Sequence, residues 1–480
     1  MDVDHGRRTR DAEVEPGPVT TATDTDIEVH DPATGELVGR VRPAGPDEVD
    51  AAVARARAAR DGWARTPAAD RAGLVRDAAG ALRAVAEELA RRGETETGRP
   101  YDDGLGGVLA AAGTLEQYAE LGPLHRGRSL QGSWSATDLM VPGPRGVAAV
   151  ITPWNDPVAV AGGLIGAALV AGNTVVHKPS ERCPHLGRRF AELVASFLPE
   201  GVLEIVDGAG PTGAALSGHA GIDLVAHVGS IAAGRAIRQA AAGTGAHVLL
   251  ENGGNDALVI DDDVDPRWAA EQAALGSYAN GGQVCVSVER IYCAAAVAEP
   301  FLDALAAEAA RWVYRPSAAG EKALGPLVDR RHREHVHSHV AAAVDDGATV
   351  HAGGFVPDGD GAFYPATVLS GLTPAMTILR EETFGPVAAV RVVEDFAQGL
   401  AEAIDDPHGL AASVLTGSMA NAQRAWRELP VGTVKINAVF GGAPGGAAEP
   451  RGTSGSGFGY GPELLDEMTT TKVVHWSPLP

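Results

Sequence analysis

From Gly146 to about Glu251 the chain alternates short apolar runs with Ala- and Gly-rich segments of helical spacing, and no other feature constrains its fold so tightly. GVAAVI, NTVVHK, GVLEIVD, IDLVAHVG and AHVLLE each read as one strand. Strand–helix alternation predicts a parallel sheet with helices on both faces. A second series follows: ALVI, VERIYCA, a helix over 297–313, another near 331–345, then VAAVRVV, AASVLT and GTVKIN. It predicts a second α/β domain. Gly441–Tyr460 is rich in glycine and reads as loop, and TTTKVVHW at 470–476 ends the chain in a short strand.

Before Gly146, residues 46–98 read as two long helices and 101–121 as a third. HRGRSLQGSWSATDLMVPGPRG is polar and turn-rich, a strand-bearing excursion from the main body. Residues 1–24 hold charge, Pro and Thr without an apolar core, so they predict a frayed tail and no signal peptide. A cytoplasmic location follows. At 480 residues the chain is long enough for two or three domains with large cores.

No apolar run approaches the length of a membrane span. The net charge of −23 and the lack of a basic patch argue against nucleic acid as a partner. Three cysteines, at 183, 285 and 293, are too few and too scattered for a disulfide framework. Only four of the 39 basic residues are Lys: Lys178, Lys322, Lys435 and Lys472. Lys is a point donor and Arg a planar fork, so each Lys is a local exception, Lys178 above all.

Chemistry centres first on GGQVCVSVER, Gly281–Arg290. Gly281 and Gly282 let the backbone bend and aim a thiol into a cleft. A soft nucleophile that also leaves as a thiolate suits addition to a carbonyl. Cys183, before a Pro, and Cys293, in a strand-like run, lack that setting and read as structural. GAGPTG, Gly208–Gly213, matches G-x-G-x-x-G. Its Pro and the missing acid after the next strand favour a plain glycine-rich turn. HREHVHSH sets His332, His335 and His339 on one helix face. A solvated face is preferred there to a metal site, and no metal is assigned.

Six stretches in order, ITPWNDP (151–157), VVHKPSE (175–181), HVGSIAAGRAI (227–237), LLENGG (249–254), GGQVC and EETFGPV (381–387), resemble the aldehyde dehydrogenase superfamily. The resemblance runs from about Pro46 to Val474. It implies a Rossmann-type cofactor domain, a second α/β catalytic domain and a small β oligomerisation element. It also implies NAD(P)-linked oxidation of an aldehyde to a carboxylic acid. Cys285 would form a thiohemiacetal, and Asn155 with the Cys285 N–H would stabilise its oxyanion. Glu251, at the end of an apolar strand, would activate water to hydrolyse the thioester, which argues against coenzyme A as acceptor. Lys178 and Glu181, with Ser180 between them, would grip the adenosine ribose. A carboxylate there would repel a 2′-phosphate, favouring NAD while leaving NADP open. Gly229 and Ser230 precede a helix whose N-terminus can face a pyrophosphate. Glu382 and Phe384 match the pair at the nicotinamide ribose and ring. Ile151, Thr152, Pro153 and Trp154 would line the cofactor cleft, Ile151 and Trp154 being equally readable as core, and Gly210 joins the cofactor set through the glycine-rich turn.

Departures from the family pattern gather at the substrate tunnel. Asn252 follows the general base, and Asp156 and Gly163 stand where aromatics are common. Val284 and Val286 flank the cysteine, and the loop reads APGG before AAEPRGT. A wide tunnel with few aromatics would admit a bulky or aromatic aldehyde. Two other readings stay open: a catalytically silent homologue that binds or scaffolds, and a cysteine (thio)esterase. The domains expected are 25–122 with 146–253 for the cofactor, 254–455 for catalysis, and 123–145 with 456–480 for oligomerisation. By resemblance the last strand pairs with a neighbouring subunit, giving a homodimer or homotetramer.

Overall fold

The computed structural model describes residues 26–314, 318–442 and 446–479. The tail expected at 1–24 lies outside them. One sheet has six strands in the order Gly455–Ser456, His247–Asn252, Leu224–Gly229, Val147–Ile151, Thr174–Lys178, Leu203–Ile205. All but the two-residue edge strand run parallel. Successive residues of Val147–Ile151 feed different cores. Ala148 and Val150 face Leu164 and Leu115, while Val147, Ala149 and Ile151 face Val49, Val53 and Ile237. A strand buried on both faces has no polar side to show, so the sequence is an apolar run rather than an alternation.

The chain builds this sheet outward from Val147–Ile151 in one direction, through Thr174–Lys178 to Leu203–Ile205. It then returns to lay Leu224–Gly229 and His247–Asn252 on the other side. The helices leaving Val147–Ile151 and Leu224–Gly229 therefore pass to different sides, opening a crevice at the carboxyl ends of these two neighbours.

A second sheet has seven strands in the order Thr349–Ala352, Thr367–Ser370, Val387–Val393, Val288–Ala294, Asp256–Ile260, Ala411–Leu415, Thr433–Ile436. Only Thr349–Ala352 runs antiparallel. The terminal strand Thr469–Trp476 pairs along its full length with Thr137–Pro144, which also pairs with Arg128–Leu130. Among the described residues no helix is long and apolar enough to cross a membrane.

The structure departs from the sequence reading in four places. Residues 46–98 form three helices, Pro46–Arg65, Ala68–Ala84 and Ala86–Thr97. Val85 leaves helical geometry (φ −110°, ψ 14°) without disturbing the apolar spacing, so the break has no sequence signal. A hairpin, Ile27–His30 with Leu37–Val41, precedes them unannounced. The helix expected over 297–313 is Ala295–Ala309, because Trp312–Val313 turns into a short strand beside Lys322–Ala323. Gly441–Tyr460 is not all loop: Gly455–Ser456 pairs with Glu251 and Leu250. The expected domain boundary at 455 thus runs through a strand of the first sheet.

Asn173 joins the first sheet to the small one. Its side chain accepts from Gly146 N–H at 2.9 Å and donates to the carbonyls of Ala168 at 3.2 Å and Met468 at 2.9 Å. The residue is fully buried, so truncation strands the Gly146 N–H and takes one of the donors from each carbonyl, Ala168 O keeping the Asn173 N–H and Met468 O the Arg145 N–H. Asn173→Ala should cost about 2–3 kcal/mol of unfolding free energy, read by denaturant titration with an unchanged slope.

Candidate active site

The cysteine loop follows the helix Pro266–Tyr278. Asn280, Gly281 and Gly282 all adopt positive φ (51°, 65° and 73°), which reverses the chain within three residues. Gln283 locks the turn. Its side chain donates to Asn280 O at 2.9 Å and accepts from Val328 N–H at 2.9 Å. Its backbone carbonyl accepts from the Asn155 amide at 3.1 Å, so the two expected partners, Asn155 and the Cys285 loop, are joined directly.

Arg99 was not visible as a site residue in the sequence. It donates to Asn155 O at 3.1 Å and forms an ion pair with Asp156 at 2.6 Å, clamping the turn that presents the Asn155 amide. Asp156 is therefore not a tunnel residue: its carboxylate is drawn to Arg99, away from the cavity wall. Arg99 lies at a helix end 56 residues upstream, a distance that no local pattern reports.

Cys285 and Glu251 sit where two cavities meet and line both. The first, of about 600 Å³, is bounded by Thr114, Val160, Gly163, Leu164, Val286, Leu410, Tyr460 and others. Among the described lining residues Tyr118 and Tyr460 are its only aromatics. Gly163 and Val286 stand in it as expected, whereas Val284 does not line it. The loop residues 443–445 lie outside the described residues. The second cavity, about 230 Å³, gathers Pro153, Trp154, Asn155, Gly229, Ser230, Glu382 and Phe384 at the crevice between the two central strands.

Electrostatics at the junction favour neutral forms. Burial pushes the Glu251 carboxyl up to about 7, against one hydrogen bond from Gly459 N–H at 3.0 Å. Burial, then the carboxyls of Glu251, Asp256, Glu382 and Asp156, push the Cys285 thiol up to about 12. Burial, and then Glu289, raise Glu382 well above the usual range, while it accepts from Gly254 N–H at 3.1 Å. Such a thiol needs a proton acceptor at hand, and Glu251 titrates where it can serve near neutrality.

Glu289 is a second residue the sequence did not disclose. It accepts from the N–H groups of Thr383 at 3.1 Å and Phe384 at 3.0 Å, holding Phe384 at φ 53°. Phe384 then meets Trp154 edge to face at 5.5 Å, and Arg182 lies 5.2 Å over the same indole. The histidine helix, Arg330–Asp345, is not a solvated face. His332 and His339 are buried, His332 contacts Phe384 O at 2.7 Å, and His332 and His335 line the second cavity. Burial lowers His332 to about 4, so it stays neutral. Among the described residues no cluster is placed to hold a metal ion.

The donor set fits a dinucleotide. Ser230 caps the helix Ile231–Ala242 at the crevice, leaving further backbone N–H groups for a phosphate. The amide oxygen of Asn252 is buried there without a partner, while its nitrogen donates to Thr453 O at 3.0 Å. Other expected cofactor residues stand beside this cavity without lining it. Ile151 ends its strand opposite Lys178. Thr152 turns inward to His177 at 2.9 Å, and Ser180 accepts from Arg182 N–H at 3.3 Å. Lys178 donates to Pro179 O at 2.8 Å and to Gly208 O at 2.5 Å, with Glu181 at 3.8 Å. Gly210 opens the short helix after Leu203–Ile205. That strand is at the sheet edge, so the G-x-G-x-x-G match falls away from the crevice.

Two α/β sheets, a crevice at the point where strand order reverses, and a thiol and a carboxyl at its end define an enzyme of dinucleotide-linked carbonyl chemistry. Residues 19–474 match the family model described as "Aldehyde dehydrogenase family", and the chain belongs to that family. It is 34% identical over 416 residues to a betaine aldehyde dehydrogenase of Mesorhizobium japonicum, covering 85% of each chain. It is also 34% identical over 437 residues to a 2-hydroxymuconic semialdehyde dehydrogenase of Pseudomonas sp. (strain CF600), covering 88% of this chain and 90% of that one. The solved lactaldehyde dehydrogenase of Escherichia coli superposes with a TM-score of 0.91 at 31% identity, over 95% of this chain and 97% of the other. The reaction of the chain is NAD(P)-dependent oxidation of an aldehyde.

Gly282 tests the cysteine turn. A Cβ there would collide with the Gly385 carbonyl, and φ is 73°. Gly282→Ala should cost at least about 1–2 kcal/mol in stability and shift Cys285, lowering kcat more than tenfold. Thermal unfolding and NADH formation, measured together, check it.

Proposed function

We propose that this protein oxidises a bulky or aromatic aldehyde to its carboxylic acid, with Cys285 as nucleophile, Asn155 as oxyanion donor and Glu251 as general base. One observation carries the reading: Cys285 and Glu251 are shared by the crevice at the carboxyl ends of the two central strands and a separate cavity of about 600 Å³. The volume and the short list of aromatics support a large substrate.

In the reaction proposed, Glu251 takes the proton of the Cys285 thiol, and the sulfur adds to the aldehyde carbon. The Asn155 amide and the Cys285 N–H hold the resulting oxyanion. NAD(P), when bound, supplies the acceptor for the hydride that leaves the adduct. Glu251 releases the thiol's proton to solvent, then draws a proton from a water that attacks the thioester, and Cys285 departs as a thiolate. Trp154, Glu382 and Phe384 would orient the nicotinamide end, Gly229 and Ser230 the phosphates, and Lys178 and Glu181 the adenosine end. NAD is preferred to NADP because Glu181, held 3.8 Å from Lys178, would face a 2′-phosphate with like charge.

A homodimer or homotetramer is supported by the terminal strand. One edge of Thr469–Trp476 is paired inside the chain, and Val473 and Trp476 stand exposed on it. An unprotected edge invites another chain. All three cysteines are free thiols, which supports the cytoplasm as the site of action. The domain division proposed remains 25–122 with 146–253, 254–455, and 123–145 with 456–480, apart from the Gly455–Ser456 strand.

Four measurements test this reading. Cys285→Ala should abolish NADH formation with every aldehyde while leaving NAD binding intact by fluorescence titration. Glu251 must be deprotonated to act, so kcat should fall as pH drops through about 7. Glu251→Gln should abolish NADH formation, the first turnover included, because neither the Cys285 thiol nor the hydrolytic water then has a proton acceptor. Light scattering should give at least a dimer.

A further inference from the structure

The large cavity holds one cation. Lys435 lies on the edge strand Thr433–Ile436 of the second sheet and lines the same cavity as Cys285 and Glu251. It is one of only four lysines in the chain. Among the described residues its ammonium makes no hydrogen bond and no ion pair. Its nearest recorded partner is the Phe440 ring, 5.9 Å away. Asp256 and Cys285 are both close enough to act on its charge, yet neither forms an ion pair with it, and Asp256 does not line the cavity.

An ammonium held half-buried without a partner has lost hydration that nothing in the chain returns. Two hydroxyl-bearing side chains, Thr433 and Tyr460, line the cavity with it. Thr433 is two residues away on the same face of the strand and also lines the cavity. The Tyr460 hydroxyl is 3.4 Å from that of Thr433. The lining also includes the apolar side chains of Ala159, Val160 and Leu164, with Thr114 and Gln117 the further polar ones. A cavity that combines one unpaired cation and hydroxyls with apolar side chains suits a molecule with an anionic end and a hydrocarbon body.

We propose that Lys435, with Thr433 and Tyr460, receives a carboxylate at the far end of the substrate, so that the preferred aldehydes are semialdehydes of dicarboxylic acids, aliphatic or aromatic. The inference rests on the reading of Cys285 and Glu251 given above and names the tail that their cavity selects. One compact ammonium matches one carboxylate better than it matches a phosphate dianion, which recruits several cations or a fork of donors. A trimethylammonium aldehyde meets the opposite conditions: like charge, and two tyrosines where a cation wants an aromatic cage.

Size-matched pairs provide the test. Succinate semialdehyde is compared with butanal, 4-carboxybenzaldehyde with benzaldehyde, and betaine aldehyde serves as the cationic probe, on the full-length enzyme and on Lys435→Met. The wild type should prefer each carboxylate partner by at least about tenfold in kcat/KM. Lys435→Met should raise KM for those substrates by a similar factor while kcat/KM for the neutral aldehydes changes less than about twofold. Equal kcat/KM within the pairs, or an equal loss for charged and neutral aldehydes in the variant, overturns the inference. Binding supplies a readout that needs no turnover. Succinate and terephthalate should raise the melting temperature of the wild type and not of Lys435→Met. Turnover of neutral aldehydes without such protection sinks the subsite alone. Protection without turnover of any aldehyde sustains the subsite and sinks the catalytic reading.

Discussion

Gly253, Gly254 and Asn255 carry the chain from His247–Asn252, in one sheet, to Asp256–Ile260, in the middle of the other. The active centre is built around this crossing. Three residues cannot separate two sheets by much, so everything beside them is pressed close. A Cβ at Gly253 would strike the Glu382 carboxylate, and one at Gly254 would press on Cys285 O at 3.0 Å. Glu251 stands just before the link and Asp256 just after it. Cys285, Glu251 and Glu382 thus meet because the backbone between the sheets is bare.

That closeness sets the electrostatics. Glu251, Glu382 and Asp256 are all raised by burial, and each accepts a recorded backbone hydrogen bond, from Gly459, Gly254 and Ala411. One such bond does not offset the loss of water around a carboxylate. The junction therefore rests with its acids partly protonated and its thiol intact. A resting thiol is poorly reactive toward oxidants, and it becomes a nucleophile only when a proton acceptor is competent beside it. In the reaction proposed, Glu251 is the carboxyl that serves both the first proton removed and the last.

The sheets were legible because strands buried on both faces leave uninterrupted apolar runs, and Val147–Ile151 through His247–Asn252 all fell where those runs are. Val85 was not legible, because a helix break that keeps the apolar spacing leaves nothing to read. The core of the site was visible in GGQVC, ENGG and PWN, where unusual residue types sit in short local patterns. Arg99 and Glu289 were invisible for the opposite reason. They act through backbone contacts 56 and 95 residues away, which only the folded chain creates. Asp156 was misread as a tunnel residue since its neighbour Asn155 does face the centre, and one step along a tight turn reverses a side chain. The histidine helix was misread as solvated because His332 and His339 look polar, yet they pack on the turn that carries Phe384.

The two cavities also divide the labour of recognition between the sheets. The crevice belongs to the carboxyl ends of Val147–Ile151 and Leu224–Gly229, whose positions are fixed by the strand order of a sheet buried on both faces. Part of the lining of the large cavity comes from Thr433–Ile436, an edge strand, and from the glycine-rich segment after it. An edge strand has one neighbour and a loop has none, so side chains there can change without disturbing the register of anything central. On the reading proposed, cofactor geometry is thereby held constant while the substrate tail is set by residues the core does not need. Lys435 occupies one of these free positions. A cation there is neither a packing residue nor a partner in a network, and its retention in a half-buried place has to be accounted for by what enters the cavity.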